Sequence, residues 1–430
     1  MAKLAIAGGT PLRQKPFTEW PQFDVRERDA ILAVLNSGNW GGYPYPNEIA
    51  LRFSRRFAAH QDSKHALCVA NGTVTLETAL KGMGIGPGDE IIVPAYTFEA
   101  TAAPILRLGG IPVFVDVLPD TYCIDPGAAS AAVTSRTRAI IPVHLAMSMA
   151  DMDSLTELAK RHDLKILEDC AHAHGAKWRG KGAGSIGDAG SFSMQTSKLM
   201  TSGEGGVITT SNDELFELCE SYVNCGRASQ TDRYGHRILG FNYRMTEFQA
   251  AILLAQLERL PAQTELRADR AMRLSEGLSR IPGISLIKKD DRLTTQAIYQ
   301  FVFKYNEEAF GGASRDRFVA TLEAEGIPSE GRFYEPIYRS PLFNVNPKDF
   351  PALSSLGVSG LPWARTHCPV AERAAYAESV WIPHQLLLGS EQDIDQIVEA
   401  VEKIQSNLDE LLRAEHPLIE TKQLNRAERR

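Results

Sequence analysis

The chain has 430 residues, 43% hydrophobic and 23% charged, with a formal net charge of −7. That length allows two domains of roughly 100–200 residues each and a sizeable core. Mild acidity excludes the basic footprint of a nucleic-acid binder, and no apolar run approaches the ~20 residues that span a bilayer.

In chain order, residues 1–9 lack a long apolar stretch before a cleavage site, so no signal peptide is expected. The first 20 residues read as an arm able to pack on either unit. From 66 to 210, short apolar runs alternate with helix-like stretches. Strands are expected at 66–70, 90–93, 111–117, 139–144, 164–169, 190–194 and 207–210, with helices over 74–81, 99–108 and 152–161. Gly86-Pro87-Gly88-Asp89 is a turn signal that launches one of these strands. β-branched runs alternating with helices predict an α/β fold, a mostly parallel central sheet covered by helices on both faces.

Thr246 reads as the N-cap of a helix running to about Leu260, where Pro261 ends it. A strand is expected at 297–305. Ser390 with Asp393 resembles a capping box opening a last helix, with Ile394, Ile397, Val401 and Ile404 at helical spacing. A boundary near Pro261 then gives an arm over 1–20, a large domain over 21–261 and a smaller C-terminal α/β domain over 262–430. The one dense basic cluster closes the chain at Arg429 and Arg430 and reads as a solvated terminus. The six cysteines form no C-x-x-C pair and read as thiols of a reducing compartment, with the cytoplasm as default.

Three segments carry chemistry together. Residues 164–169 form an apolar strand ending in Glu168-Asp169, and in open α/β sheets ligands lie just beyond the carboxyl ends of strands. Asp169 alone reads equally as a turn cap. Lys198 follows the strand at 190–194 and precedes the glycine-rich Ser202-Gly203-Glu204-Gly205-Gly206. A lone lysine after a strand is usually a surface charge, but one partly desolvated beside such a loop becomes nucleophilic. Asn71-Gly72-Thr73 stands between a strand and a helix, where backbone N–H groups form an anion site or an ordinary cap. A phosphate cradle, an acid, and a lysine 29 residues after it are what pyridoxal 5′-phosphate (PLP) requires.

The strings EDCAHAHGA (168–176), SFSMQTSKLMTSGEGG (191–206) and GFNYRMTEFQ (240–249) resemble the DegT/DnrJ/EryC1/StrS family of PLP-dependent aminotransferases, over nearly the whole chain. The resemblance implies the fold-type-I transferase architecture and amino transfer to a keto sugar or keto cyclitol through a Schiff base on Lys198. It implies that Asp169 meets the pyridine nitrogen and that Gly72, Thr73 and Ser193 hold the phosphate. It further implies that Phe98 stacks on the cofactor, although Phe98 also reads as a core aromatic, and that Asn242 serves the phosphate of the neighbouring subunit in a homodimer.

Two departures bear on substrate. His172 stands where many members carry glutamine near the phenolic oxygen, able to donate a hydrogen bond but also to stack and titrate. Ala146-Met147 replaces a common Tyr-Gly. Asn71-Gly72-Thr73, Cys170-Ala171-His172, Lys198-Leu199-Met200-Thr201 and residues 368–373 are nearer the cyclitol branch, which includes the L-glutamine:scyllo-inosose and 2-deoxy-scyllo-inosose aminotransferases and the 3-amino-5-hydroxybenzoate synthases. Glutamine or glutamate is the expected donor. An aromatising dehydratase of the aminohydroxybenzoate kind and a PLP-binding regulatory protein without turnover are the alternatives.

Two other features are set aside. Gly182-x-Gly184-x-x-Gly187 spells a dinucleotide fingerprint, yet it precedes a strand rather than following one, and reads better as a tight loop near the cofactor. The ten histidines are dispersed without a zinc-ligand spacing, so no metal is expected. Trp363, Arg365, His367, Trp381 and His384 read individually as structural and collectively as a possible wall of a polar pocket.

Overall fold

The computed structural model describes residues 3–42, 46–227, 235–355 and 361–415; Arg429 and Arg430 lie outside them. Seven short strands form the central sheet: β1 (His65–Val69), β2 (Glu90–Pro94), β3 (Ile111–Val115), β4 (Thr137–Ile140), β5 (Lys165–Asp169), β6 (Ala189–Ser193) and β7 (Gly206–Thr210). Their order is β1-β7-β6-β5-β4-β2-β3. The ladders from β3 through β2, β4 and β5 to β6 are parallel, and β7 runs antiparallel between β6 and β1. Every residue of β2 and β7 is buried, as expected where helices cover both faces.

Each of the seven expected strands exists, with ends shifted by a few residues. The fourth is the most curtailed. Pro142 has no N–H for a ladder, and its carbonyl instead accepts the Asp169 N–H at 2.8 Å. The helix expected over 99–108 is broken into a 3-10 turn, Glu99–Thr101, and a short helix, Ala103–Arg107, with Pro104 in its first turn.

Pro261 does not end its helix. The helix Glu247–Leu278 opens on a Thr246–Gln249 capping box and carries the proline inside. Packing on both sides outweighs the lost N–H: Leu253, Leu254, Leu257 and Leu260 enter the core of the central sheet, while Ala271, Leu274 and Leu278 enter a second core. That second core surrounds an antiparallel sheet of Ile284–Leu286, Gln300–Tyr305 and Ser379–Pro383, with the helices Arg315–Ala324 and Glu391–Gln405. Ser390 and Asp393 form the expected capping box.

The N-terminal arm joins the second core through Leu4 and Ile6, and Arg13 reaches Asp393 at 2.7 Å. It then runs to the central sheet, where Trp20 donates to the Thr196 carbonyl at 2.8 Å. No helix among the described residues is long and apolar enough to cross a membrane.

Candidate active site

The carboxyl ends of the parallel strands open into a cavity of about 840 Å³ lined by Gly72, Thr73, Phe98, Asp169, His172, Ser193 and Lys198, together with Tyr299, Phe333 and Tyr334. Seven of the eight residues singled out from sequence therefore meet in one place. Asn242 does not: it is exposed and does not line this cavity.

Asp169 is the last residue of β5, directly opposite Ser191 of β6. It is 5% exposed, and its carboxylate accepts from the Thr101 hydroxyl at 2.8 Å and the Ala171 N–H at 3.2 Å. Burial pushes its pKa up from the usual carboxylate value; the two hydrogen bonds and the charge of Lys198 oppose that rise. An ionised Asp169 therefore gains from a cation brought against it.

Lys198 rides on a loop closed on itself. Beyond β6, Met194 and Gly205 are joined by an N–H···O bond of 2.8 Å, and Ser202 N–H returns to the Met194 carbonyl at 3.1 Å. Gly203, with φ +84°, makes the return turn. The Lys198 ammonium lies 4.4 Å from the Tyr299 ring centre. Desolvation lowers its pKa from 10.5 to about 8, and Asp169 holds it from falling further. A lysine so placed is partly neutral near pH 7, which a nucleophile or base requires.

Gly72 and Ser193 form the cradle. Gly72 opens the helix Gly72–Gly82, capped by Asn71, whose side chain accepts from the Val74 N–H at 3.1 Å. The N–H groups of this first turn have no intrahelical acceptor and suit an anion. A Cβ on Gly72 would stand 2.7 Å from the Ser193 Cβ, so glycine is required for the helix start to approach the strand end. The donors, the buried acid and the depressed lysine fit a phosphate, a ring nitrogen and an aldehyde.

Phe98 is 55% exposed, which excludes the core-aromatic reading and leaves its ring at the cavity wall. His172 is 5% exposed and stacks on Tyr299 with ring centres 4.0 Å apart. Its Nδ1 accepts from the Ala146 N–H at 3.1 Å, so a neutral ring carries its proton on Nε2 and donates to the Tyr334 hydroxyl at 3.1 Å. Burial and Lys198 keep His172 neutral, its pKa well below the usual histidine value. Both nitrogens are engaged by the protein, and the hydrogen left to point into the cavity on this side belongs to Tyr334.

Glu168, beside Asp169 in sequence, faces the other way. It is fully buried and accepts from Gly184, Ile186 and Gly187 N–H groups at 2.7–2.9 Å and from His144 Nε2 at 2.9 Å. The glycine-rich stretch 182–187 is thus a tight loop that makes a nest for a protein carboxylate, but it does not line the cavity and so is not the expected loop near the cofactor. His144, Glu168 and Cys170 stand close enough to gather round an ion. Yet His144 spends its other nitrogen on the Ala150 N–H, at 3.2 Å, and the Glu168 carboxylate already has four donors.

The late aromatic and basic residues do not form a pocket wall. Trp363 and Trp381 are buried and donate to the Phe343 carbonyl and the Ser379 hydroxyl, Arg365 and His367 are exposed, and His384 lies behind the Lys198 loop. Sequence reasoning missed Thr101, Tyr299, Phe333 and Tyr334. The last three come from segments more than 100 residues beyond Asp169 with no motif around them.

Comparison with known proteins agrees with this geometry. The DegT/DnrJ/EryC1/StrS aminotransferase family profile matches residues 21–402. A protein of Streptoalloteichus tenebrarius, provisionally named L-glutamine:3-amino-2,3-dideoxy-scyllo-inosose aminotransferase, is 45% identical over 95% of this chain and 99% of its own. The L-glutamine:2-deoxy-scyllo-inosose aminotransferase of Micromonospora echinospora is 37% identical over 96% of this chain and 100% of its own. The crystal structure of a 3-amino-5-hydroxybenzoic acid synthase superposes with a TM-score of 0.80 at 36% identity, covering 91% of this chain and 99% of that one. The chain is an enzyme of the DegT/DnrJ/EryC1/StrS aminotransferase family.

Proposed function

We propose that this aminotransferase uses PLP to move an amino group from glutamine or glutamate onto a keto cyclitol. The observation that carries the reading is the pairing, across one cavity, of a buried Asp169 with a Lys198 whose pKa is lowered to about 8, next to the Gly72–Ser193 cradle. The names of the relatives, with glutamine as donor and inososes as acceptors, support the substrate class. Bound PLP supplies a carbonyl that condenses with amines and a ring that takes up the electron pair left when a Cα proton departs.

The chain's own residues would do the rest. Asp169, oriented by Thr101 and the Ala171 N–H, holds positive charge on the ring nitrogen. Lys198, once its amine is free, removes the donor's Cα proton and returns it one step later, with positioned acid–base catalysis worth about 10²–10⁴-fold. The first-turn N–H groups at Gly72 and Thr73, with the Ser193 hydroxyl, hold the phosphate. Phe98 would lie against the ring, and Tyr334 would offer its hydroxyl hydrogen to the ligand. We further infer a homodimer in which Asn242 reaches the phosphate in the neighbouring protomer's site.

The test is a half-reaction. Enzyme loaded with PLP and mixed with L-glutamine should convert the cofactor to its amine form in a single turnover. A panel of inososes and nucleotide keto sugars, with product identification by mass spectrometry, should then yield an aminocyclitol. No conversion with either donor would overturn the aminotransferase mechanism, and selective turnover of a nucleotide keto sugar would overturn the acceptor class.

A further inference from the structure

Behind the Lys198 loop, outside the cavity, lies a cluster that amino transfer does not use. Arg267, on the helix Glu247–Leu278, is 1% exposed, and none of its three guanidinium nitrogens has a hydrogen-bond partner among the described residues. The Trp20 ring lies 5.4 Å from its Cζ, and the same indole meets the His384 ring at 4.6 Å. His384, 1% exposed, donates from Nε2 to the Ser197 carbonyl at 3.1 Å. His174, fully buried, donates from Nε2 to the Ser193 carbonyl at 2.9 Å. A carbonyl only accepts, so each ring carries a proton on Nε2, and each Nδ1 is left without a partner. The His60 Nε2 is also unpartnered; it lies against Gly175 near Thr264, one helical turn before Arg267.

Buried polar atoms are rarely left unpaired, and a buried guanidinium without a counter-charge is among the costliest arrangements in a protein interior. We propose that Arg267, His174 and His384 form a buried binding site for a small monovalent inorganic anion of halide size. Water alone could satisfy the hydrogen bonds but would leave the charge unbalanced. The neighbouring charges do not balance it either: Lys198 faces Asp169, and Lys177 and Asp62 act on His60 with opposite sign. The positive field at the cluster is felt by both imidazoles, which are held neutral by burial, by Lys198 and by Arg267.

Neutral rings leave a free lone pair on each buried Nδ1, so anion uptake brings a proton from solvent onto at least one Nδ1, and binding tightens as pH falls. A protonated ring is also a stronger donor to the Ser193 or Ser197 carbonyl. Occupancy therefore stiffens the loop that carries Lys198. This inference is independent of the acceptor and donor proposed above.

Bromide is the probe. Crystals of the PLP-loaded enzyme grown without halide and soaked in sodium bromide should give an anomalous peak within hydrogen-bonding reach of Arg267. In solution the melting temperature should rise saturably with bromide relative to sodium gluconate at equal ionic strength, more at pH 6 than at pH 8.5. Arg267→Met should abolish the response. His174→Gln, which keeps the donor to Ser193 but removes the titrating nitrogen, should weaken its pH dependence. Water without bromide at Arg267 in the anomalous map overturns the proposal, and so does a bromide response that survives Arg267→Met. The map of the unmodified enzyme decides the matter even if a variant fails to fold.

Discussion

Lys198 and Asp169 are each displaced from ordinary behaviour by the same cause, loss of water, and each makes the other's charged form less costly. The consequence for Lys198 is a pH dependence of defined sign. Its pKa is lowered to about 8, and only the neutral amine attacks an aldehyde. Capture of PLP by the apoenzyme should therefore accelerate about tenfold from pH 7 to pH 9 and then level off, where an ordinary lysine would still be gaining. Stopped-flow absorbance checks this, and borohydride reduction followed by peptide mapping should find the cofactor on Lys198. For Asp169, substitution by asparagine keeps the shape and removes the charge. The transition state, which loads electrons onto the ring, should suffer more than cofactor binding, so kcat should fall by about 10²–10³-fold with PLP largely retained. The turn-cap reading expects at most a loss of about 0.5–2 kcal/mol in stability with near-normal turnover. A glutamine half-reaction run beside a thermal melt separates the two.

At the scale of elements, legibility followed burial and local chemistry. The seven strands were readable because largely buried strands are apolar runs punctuated by glycine and proline, and the Asn71, Thr246 and Ser390 caps announce their helices. The Asp169–Lys198 pair was readable because one ends a strand, the other stands on the loop after the next strand, and both lie within motif strings. Pro261 misled because helix propensity is local, whereas two cores hold that helix from opposite ends. Tyr299 and Tyr334 were illegible because only tertiary packing brings them to the cavity of Lys198, and the residues at 363–384 misled because nearness in sequence did not become nearness in space. Glu168 tests how much the nest at 182–187 contributes. Both of its oxygens face only donors, so Glu168→Gln turns one end into a donor against donors. It should destabilise the fold by about 3 kcal/mol, since buried N–H groups would face a donor in place of a carboxylate oxygen. A chemical denaturation series measures this, and a loss below about 1 kcal/mol would contradict the account.

The whole molecule, as one chain, leaves an apolar surface uncovered next to Asn242. Leu239 is 82% exposed, Phe241 39% and Ile238 37%, and Trp40, 53% exposed, accepts the Glu247 N–H on its carbonyl at 3.1 Å, a few residues further along the chain. Apolar exposure of this kind fits the proposed interface, and a two-fold dimer is the commonest way to bury it. Asn242 is exposed and does not line the cavity that holds Lys198, and in the proposed dimer it would serve the reaction across such an interface. That gives a test with an unambiguous sign. Lys198→Ala subunits lack the nucleophile, and Asn242→Ala subunits fail to complete the neighbouring site, so each homodimer should be inactive or severely impaired. In a hybrid, the site that keeps Lys198 receives Asn242 from the other chain and is intact, while the second site carries both defects. Random re-association of equal amounts makes about half the dimers hybrid, with one good site each, so activity should return to about a quarter of the unmodified level. If Asn242 acted within its own protomer, no mixture could assemble an intact site, and recovery would be nil. Sedimentation during turnover closes the remaining route, because a fully active monomer would remove the interface from the mechanism altogether.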